Sequence, residues 1–115
     1  MYGTLTDIAA DLTKELRPGK KVSEVAEWVR NRIISSGYEI GVNFGHCLGL
    51  DVVERPLVHV KEETVLKPGM VITVHPQLVS RGKEATVWFA DTYLITEGMA
   101  EALTKVDPLA VKVIE

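Results

Sequence analysis

The sequence predicts an α+β fold in which two N-terminal amphipathic helices pack on an antiparallel sheet. Before Gly37, apolar residues recur every three or four positions, which is the period of an α-helix. After Gly37 the pattern changes to short β-branched runs bounded by Gly and Pro, which are typical of strands. At 115 residues and 46% hydrophobic, the chain can bury one modest core, so we expect a single domain over residues 1–115.

The first predicted helix carries its apolar residues on one face. Thr4 and Asp7 suit its start. Pro18 ends it, because the residue before a proline disfavours helical geometry. The apolar face consists of Leu5, Ile8, Ala9, Leu12 and Leu16.

The second predicted helix begins near Ser23. The Ser23 hydroxyl is the expected N-cap, since it can accept a hydrogen bond from a free N–H of the first turn. Glu24 then lies at the positive end of the helix dipole. Gly37 is expected just after the helix, where a left-handed residue often closes the last turn. The apolar face consists of Val25, Ala26, Trp28, Val29 and Ile33.

Three β-rich runs follow in the second half of the chain. Val71–Val74, between Gly69 and Pro76, predicts a short buried strand. Residues 86–96 predict a second run, preceded by a turn at 80–83, and the two runs could pair as a hairpin. A further turn is expected at Glu97-Gly98. The run at 111–114 predicts a last short strand.

Composition excludes two classes of partner. The net charge is −3, the pI is about 5.6, and no Lys/Arg run alternates with aromatic residues, so we expect no nucleic acid. No apolar segment approaches the roughly 20 residues that span a bilayer, so we expect no membrane partner. The chain opens without the pattern of a signal peptide. The single cysteine, Cys47, rules out an intrachain disulfide, and a reducing cytoplasmic setting fits.

Three phrases that occur in this order carry a resemblance to a known family. They are LRPG at 16–19, GHCLGLD at 45–51 and LKPGMVITVHP at 66–76. Together they resemble the second half of the pita-bread metallopeptidases, which include methionine aminopeptidase, aminopeptidase P, prolidase and the metal-free relative creatinase. The resemblance implies that the chain is the C-terminal half of a pita-bread domain.

The resemblance also places this chain's residues at the family's metal-binding positions. The family's peptidases bind two divalent metals, such as Mn, Co or Zn, through two Asp, one His and two Glu. The His ligand corresponds to His46, whereas His75 and Ala90 stand at the two Glu positions. The two Asp would precede Met1, and Val53 stands at a further family histidine. We therefore expect no dinuclear centre in this chain itself, with His46 as the one retained metal ligand.

His46 and His75 are the predicted catalytic residues, and the resemblance implies that they face one shared cleft. The ordinary alternative is a structural role for each, in a Gly-rich loop for His46 and in a hydrogen-bond network at a strand end for His75. Cys47 beside His46 suggests a Cys–His nucleophile. Neighbouring residues on an extended chain point to opposite faces, however, so a buried structural thiol is the preferred interpretation of Cys47.

Two functions of different classes remain open. The resemblance implies an Xaa-Pro dipeptidase or creatinase-like hydrolase that cleaves a C–N bond of a small-molecule or peptide substrate. The substituted ligand positions favour instead a non-catalytic module that binds a small ligand or a protein partner through the same cleft. A half domain would expose a sheet edge and apolar surface, so we expect a homodimer or association with a missing N-terminal half.

Overall fold

The computed structural model describes residues 1–41 and 44–104. In these residues two helices precede eight strands, which confirms the α+β class. The elements are α1 Tyr2–Glu15, α2 Val22–Ser35, β1 Glu39–Ile40, β2 Gly45–Cys47, β3 Glu54–Leu57, β4 Val71–Val74, β5 Gln77–Val79, β6 Thr86–Trp88, β7 Asp91–Leu94 and β8 Glu101–Ala102. The strand predicted at 111–114 lies outside the described residues.

The start of α2 differs from the prediction, because Ser23 is not the N-cap. Lys21 takes that position and Ser23 is buried in the first turn. The Lys21 N–H donates to the Glu24 carboxylate at 2.9 Å. The N–H groups of Val22 and Ser23 donate to backbone carbonyls in the segment 62–64, both at 2.8 Å. A segment distant in sequence therefore satisfies the first free N–H groups of the helix, which begins before Ser23.

The strands form two antiparallel sheets, with orders β3-β2-β4-β7-β8 and β1-β5-β6. The predicted hairpin is present but bent, since β4 pairs with β7 in one sheet and β5 with β6 in the other. The chain passes between the sheets at His75-Pro76 and returns at Phe89-Ala90. These two crossings lie side by side, because the Phe89 N–H donates to the Pro76 carbonyl at 3.3 Å.

The predicted turns join neighbouring strands. Between β5 and β6, the Lys83 N–H donates to the Ser80 carbonyl at 2.8 Å, and Gly82 and Lys83 both have left-handed backbone angles. The turn at Glu97-Gly98 leads from β7 towards β8. Both turns therefore lie where the sequence predicts them.

Within residues 1–41 and 44–104, the helices cover one face of the sheets and leave the other face open. Alternation along β4 sends Ile72 and Val74 into the core shared with α1 and α2, while Thr73 and His75 point away from it. The predicted apolar faces of both helices are buried, and Trp28 packs against the same core while partly exposed. Among the described residues, no helix is long and apolar enough to cross a bilayer. The uncovered sheet face is where polar side chains gather.

Candidate active site

A band of polar side chains crosses the open face of the five-stranded sheet. His46 on β2 lies opposite Thr73 on β4, which lies opposite Thr92 on β7. The two threonine hydroxyls are hydrogen bonded at 2.8 Å. These three residues and the loop at 48–52 line a depression of about 490 Å³. The strand register therefore gathers hydroxyl and imidazole groups at one place.

The two predicted histidines lie together on this open face. The ring centroids of His46 and His75 are 5.7 Å apart, with 53° between the ring planes. His75 follows the last residue of β4, and its N–H donates to the Phe44 carbonyl at 2.8 Å. This hydrogen bond holds the His75 backbone at the point where the chain leaves the five-stranded sheet. The catalytic role predicted for both residues, and the metal-ligand role of His46, stay predictions.

Gly45 allows β2 to approach β4 closely enough to position His46. A Cβ atom built on Gly45 would lie 2.1 Å from the Thr73 carbonyl oxygen, and the Gly45 φ is +150°. Glycine alone accommodates both constraints without strain. The close contact between β2 and β4 therefore explains why a glycine precedes His46 in the sequence motif.

Local contacts set the proton arrangement of the His46 ring. Its Nδ1 atom lies 3.0 Å from the Cys47 carbonyl oxygen. A carbonyl oxygen accepts hydrogen bonds and never donates them, so we assign the hydrogen to Nδ1. In the neutral ring, Nε2 then carries the lone pair. That nitrogen is the one able to accept a proton or bind a metal.

His75 is biased towards its uncharged form. Burial lowers the pKa of His75, and the nearby His46 lowers it further, while a backbone hydrogen bond opposes both effects. The His75 imidazole therefore accepts a proton less readily than a free histidine. At neutral pH it is an uncharged ring with one nitrogen lone pair.

Trp88 is a neighbour of this site that the sequence did not assign to it. Its ring lies 6.0 Å from the His75 ring in an edge-on arrangement, and the residue is 66% exposed. Strand alternation does predict that Trp88 or Phe89 faces away from the core. Phe89 is the one that packs against the core. Trp88 faces solvent instead.

Cys47 takes no part in the open face. Its side chain is buried in the core, whereas His46 points to the opposite side of β2. Burial raises the pKa of the Cys47 thiol, and the charges of Glu54 and Glu62 raise it further. This environment disfavours the thiolate that a nucleophilic cysteine needs. His59, the third histidine of the chain, is exposed.

The carboxylate of Asp91 also points away from the site. Asp91 is buried, accepts a hydrogen bond from the Thr92 N–H at 2.8 Å and another from the Thr104 hydroxyl. Ala90, which the resemblance aligns with a Glu ligand, is exposed and carries only a methyl group. Val53, aligned with a further family histidine, is 58% exposed.

The donors around His46 and His75 do not fit a pair of divalent ions. Across residues 1–41 and 44–104, no group of three or more His, Cys, Asp or Glu side chains is placed to hold a metal. The polar groups that line the depression beside His46 are the hydroxyls of Thr73 and Thr92 and the carboxylate of Asp51. A two-metal site relies on carboxylates that bridge the ions and offset their charge. Among the described residues, Asp51 is the one carboxylate that lines this depression, and a single carboxylate does not supply the set that two ions need.

Comparison with known proteins assigns the family to which this arrangement belongs. Residues 1–97 match the sequence profile of metallopeptidase family M24. The chain belongs to metallopeptidase family M24. The resemblance to pita-bread metallopeptidases predicted from the motifs is thereby confirmed.

Sequence relatives and solved structures agree with this family. An Xaa-Pro dipeptidase of Pyrococcus furiosus is 40% identical over 111 residues, and one of Pyrococcus horikoshii is 35% identical over 109. Each alignment covers 93% of this chain and 31% of the relative. The chain thus spans about a third of the length of these M24 relatives.

The fold of the M24 chain is also found in solved enzymes. The prolidase from Pyrococcus furiosus superimposes with a TM-score of 0.83 at 34% identity, over 91% of this chain and 32% of that one. A methionine aminopeptidase from Thermotoga maritima superimposes with a TM-score of 0.75 at 23% identity, over 90% of this chain and 50% of that one. The second match concerns the fold alone. Both superpositions are consistent with half of a pita-bread fold.

Proposed function

We propose that this chain is the C-terminal half of an Xaa-Pro dipeptidase or creatinase-like hydrolase domain that cleaves a C–N bond. The substrate is a small molecule or a short peptide, and His46 and His75 are the groups that face its reacting atoms. The observation that carries this proposal is the 5.7 Å separation of the two rings on the open sheet face. The sequence relationship to Xaa-Pro dipeptidases supports the reaction class.

The proton transfers of such a reaction suit two neighbouring imidazoles. Water attacks the carbon of the C–N bond, and one imidazole takes the proton that the water loses. The C–N bond then breaks as the same proton is returned to the leaving nitrogen. Groups placed in this way contribute roughly 100- to 10,000-fold in rate. The lowered pKa of His75 keeps its lone pair free at neutral pH.

We further propose that the reaction does not depend on a dinuclear metal centre built from this chain. His46 is the one side chain retained from the family's ligand set, and His75 could add a single nitrogen. Two imidazole ligands fall short of the three protein ligands usual in a catalytic zinc site. We place the reaction in the cytoplasm, in keeping with a buried, reduced Cys47.

A non-catalytic module is the second candidate function. The methyl group of Ala90 and the imidazole of His75 favour it, because the resemblance expects a carboxylate at both positions. In that case the same face would bind a small ligand or a protein partner without turnover. The two candidates differ in whether a C–N bond is cleaved.

Hydrolysis of Xaa-Pro dipeptides and of small C–N substrates is the deciding measurement. The chain should be purified without chelator and its metal content determined by elemental analysis. We expect turnover, less than two equivalents of Mn, Co or Zn per chain, and a loss of kcat of about 100-fold or more in His46→Ala and in His75→Ala. His59→Ala is the matched control and should leave kcat unchanged, since His59 is exposed and outside the site.

Three results would count against the proposal. Two bound metal ions per chain would contradict the metal-independent site. Equal losses of kcat in all three histidine variants would show that the activity does not depend specifically on His46 and His75. Binding of a substrate without cleavage, with or without added metal, would favour the non-catalytic module.

A further inference from the structure

Three rings stand in a row across the open face. The centroids of His46 and His75 are 5.7 Å apart, and those of His75 and Trp88 are 6.0 Å apart. His46 belongs to the five-stranded sheet, Trp88 to the three-stranded sheet, and His75 to the crossing between them. Anything bound beside the two histidines therefore has an indole ring within reach.

Trp88 borders a depression of its own. On β5 the residue opposite Trp88 is Gln77. Together with His75 and Thr86, these residues line a depression of about 330 Å³, which lies within the size range of small-molecule sites. An indole that is 66% exposed beside such a depression offers a large apolar surface to a ligand.

The lining of this depression favours an uncharged ligand group. Among the described residues it consists of His75, Gln77, Thr86 and Trp88. Gln77, Thr86 and Trp88 carry no charge, and no Asp, Glu, Lys or Arg side chain of the described residues lines this depression. A charged group would lose water here without gaining an opposite charge. The rim still offers an amide and a hydroxyl, which can hydrogen bond to a peptide backbone.

We propose that Trp88 forms a subsite that binds an aromatic side chain of a short peptide whose backbone lies against His75 and His46. An aromatic ring is favoured over an aliphatic chain, because it can stack on the indole or meet it edge-on. This subsite rests on the proposed function for the identity of the cleft, and it adds a substrate preference to it. It makes Trp88 a specificity-determining residue.

Trp88 fluorescence measures this binding without any need for turnover. The chain has two tryptophans, so Trp28→Phe leaves Trp88 as the reporter. We expect a saturable change of emission with the dipeptide Phe-Pro, at least about fivefold weaker binding of Leu-Pro, and weaker binding still of Lys-Pro. The matched control is Trp88→Phe, in which the remaining Trp28, packed against the core and Arg32, should give no response.

Calorimetry on substituted chains tests the contribution of the ring. Trp88→Ala should weaken Phe-Pro binding by about tenfold and leave Leu-Pro within about threefold. Trp88→Phe should restore part of the lost affinity, because it restores a ring. Ile34→Ala removes another exposed apolar side chain, 46% exposed, on α2, and should change neither affinity.

Several outcomes would overturn the subsite. They are no saturable Trp88 response, equal affinity for Phe-Pro and Leu-Pro, or no effect of Trp88→Ala. A Trp88 emission that changes on dilution alone would mean that a second copy covers the ring. If dipeptides are hydrolysed but Trp88→Ala leaves the ratio of kcat/KM for Phe-Pro and Leu-Pro unchanged, the hydrolase proposal stands and the subsite falls. If Phe-Pro binds more tightly than Leu-Pro but neither dipeptide is hydrolysed, the subsite stands and the hydrolase proposal falls.

Discussion

Gly45 lies where β2 comes closest to β4, and we expect it to tolerate no side chain. In Gly45→Ala the new Cβ would stand 2.1 Å from the Thr73 carbonyl oxygen, on a backbone with φ +150°. The strands would have to separate, at a cost of about 2–4 kcal/mol in the free energy of unfolding. Urea denaturation measures this cost. In Gly98→Ala the Cβ meets nothing within 4 Å, so that variant should stay within about 0.5 kcal/mol of the parent; equal stabilities for the two variants would contradict the steric role of Gly45.

For single residues, the sequence predicted the positions of those that belong to a motif and missed those that strand pairing brings to the site. His46 and His75 were expected to face one cleft because the family resemblance brings their strands together. Trp88 belongs to no such phrase, and its position beside His75 depends on the chain crossing between two sheets. Alternation along β7 likewise turns the Asp91 carboxylate to the buried side of the sheet.

Among the elements, α2 offers a test of how its first turn is held. The Glu24 carboxylate accepts the Lys21 N–H at 2.9 Å. Glu24→Ala should therefore lower the free energy of unfolding by about 1 kcal/mol, since it leaves that N–H without its partner. Glu27→Ala on the same helix removes only an exposed pair with Arg30 at 3.8 Å, and it should cost less than about 0.5 kcal/mol. Thermal unfolding of both variants measures these losses of stability. If Glu27→Ala destabilises the chain as much as Glu24→Ala does, Glu24 has no capping role.

The elements that the sequence predicted are those with a strong local pattern. Both helices and β4 follow from periodicity and from the Gly and Pro residues that bound them. The strands β1, β3, β5 and β8 were not predicted, because each has only two to four residues and carries a weak local pattern, and β2 was expected only from the family resemblance. The run at 86–96 contains two strands, since the chain changes sheets at Phe89-Ala90, and no local signal marks that crossing.

The chain spans about a third of the length of its Xaa-Pro dipeptidase relatives, and its described residues leave apolar surface uncovered. The loop after β2 carries Leu50, Val52 and Val53, with exposures of 104%, 81% and 58%. The neighbouring strand β3 is an edge of the five-stranded sheet and exposes 42% of Leu57. Apolar side chains next to an unpaired strand edge invite association with another chain.

We therefore expect the chain to form a homodimer through β3 and this loop, because a symmetric pair lets the patch cover its own copy. Light scattering should give a mass that rises with concentration from 12.7 kDa towards twice that value. Leu57→Lys places a charge at the strand edge and should keep the chain monomeric. Val65→Lys is the matched control, since Val65 is 39% exposed but lies outside the patch, and it should dimerise like the parent. A mass that stays at 12.7 kDa at every concentration would contradict the homodimer and leave a missing N-terminal half as the partner for this surface. Dimerisation of Leu57→Lys would instead show that the interface lies on another face.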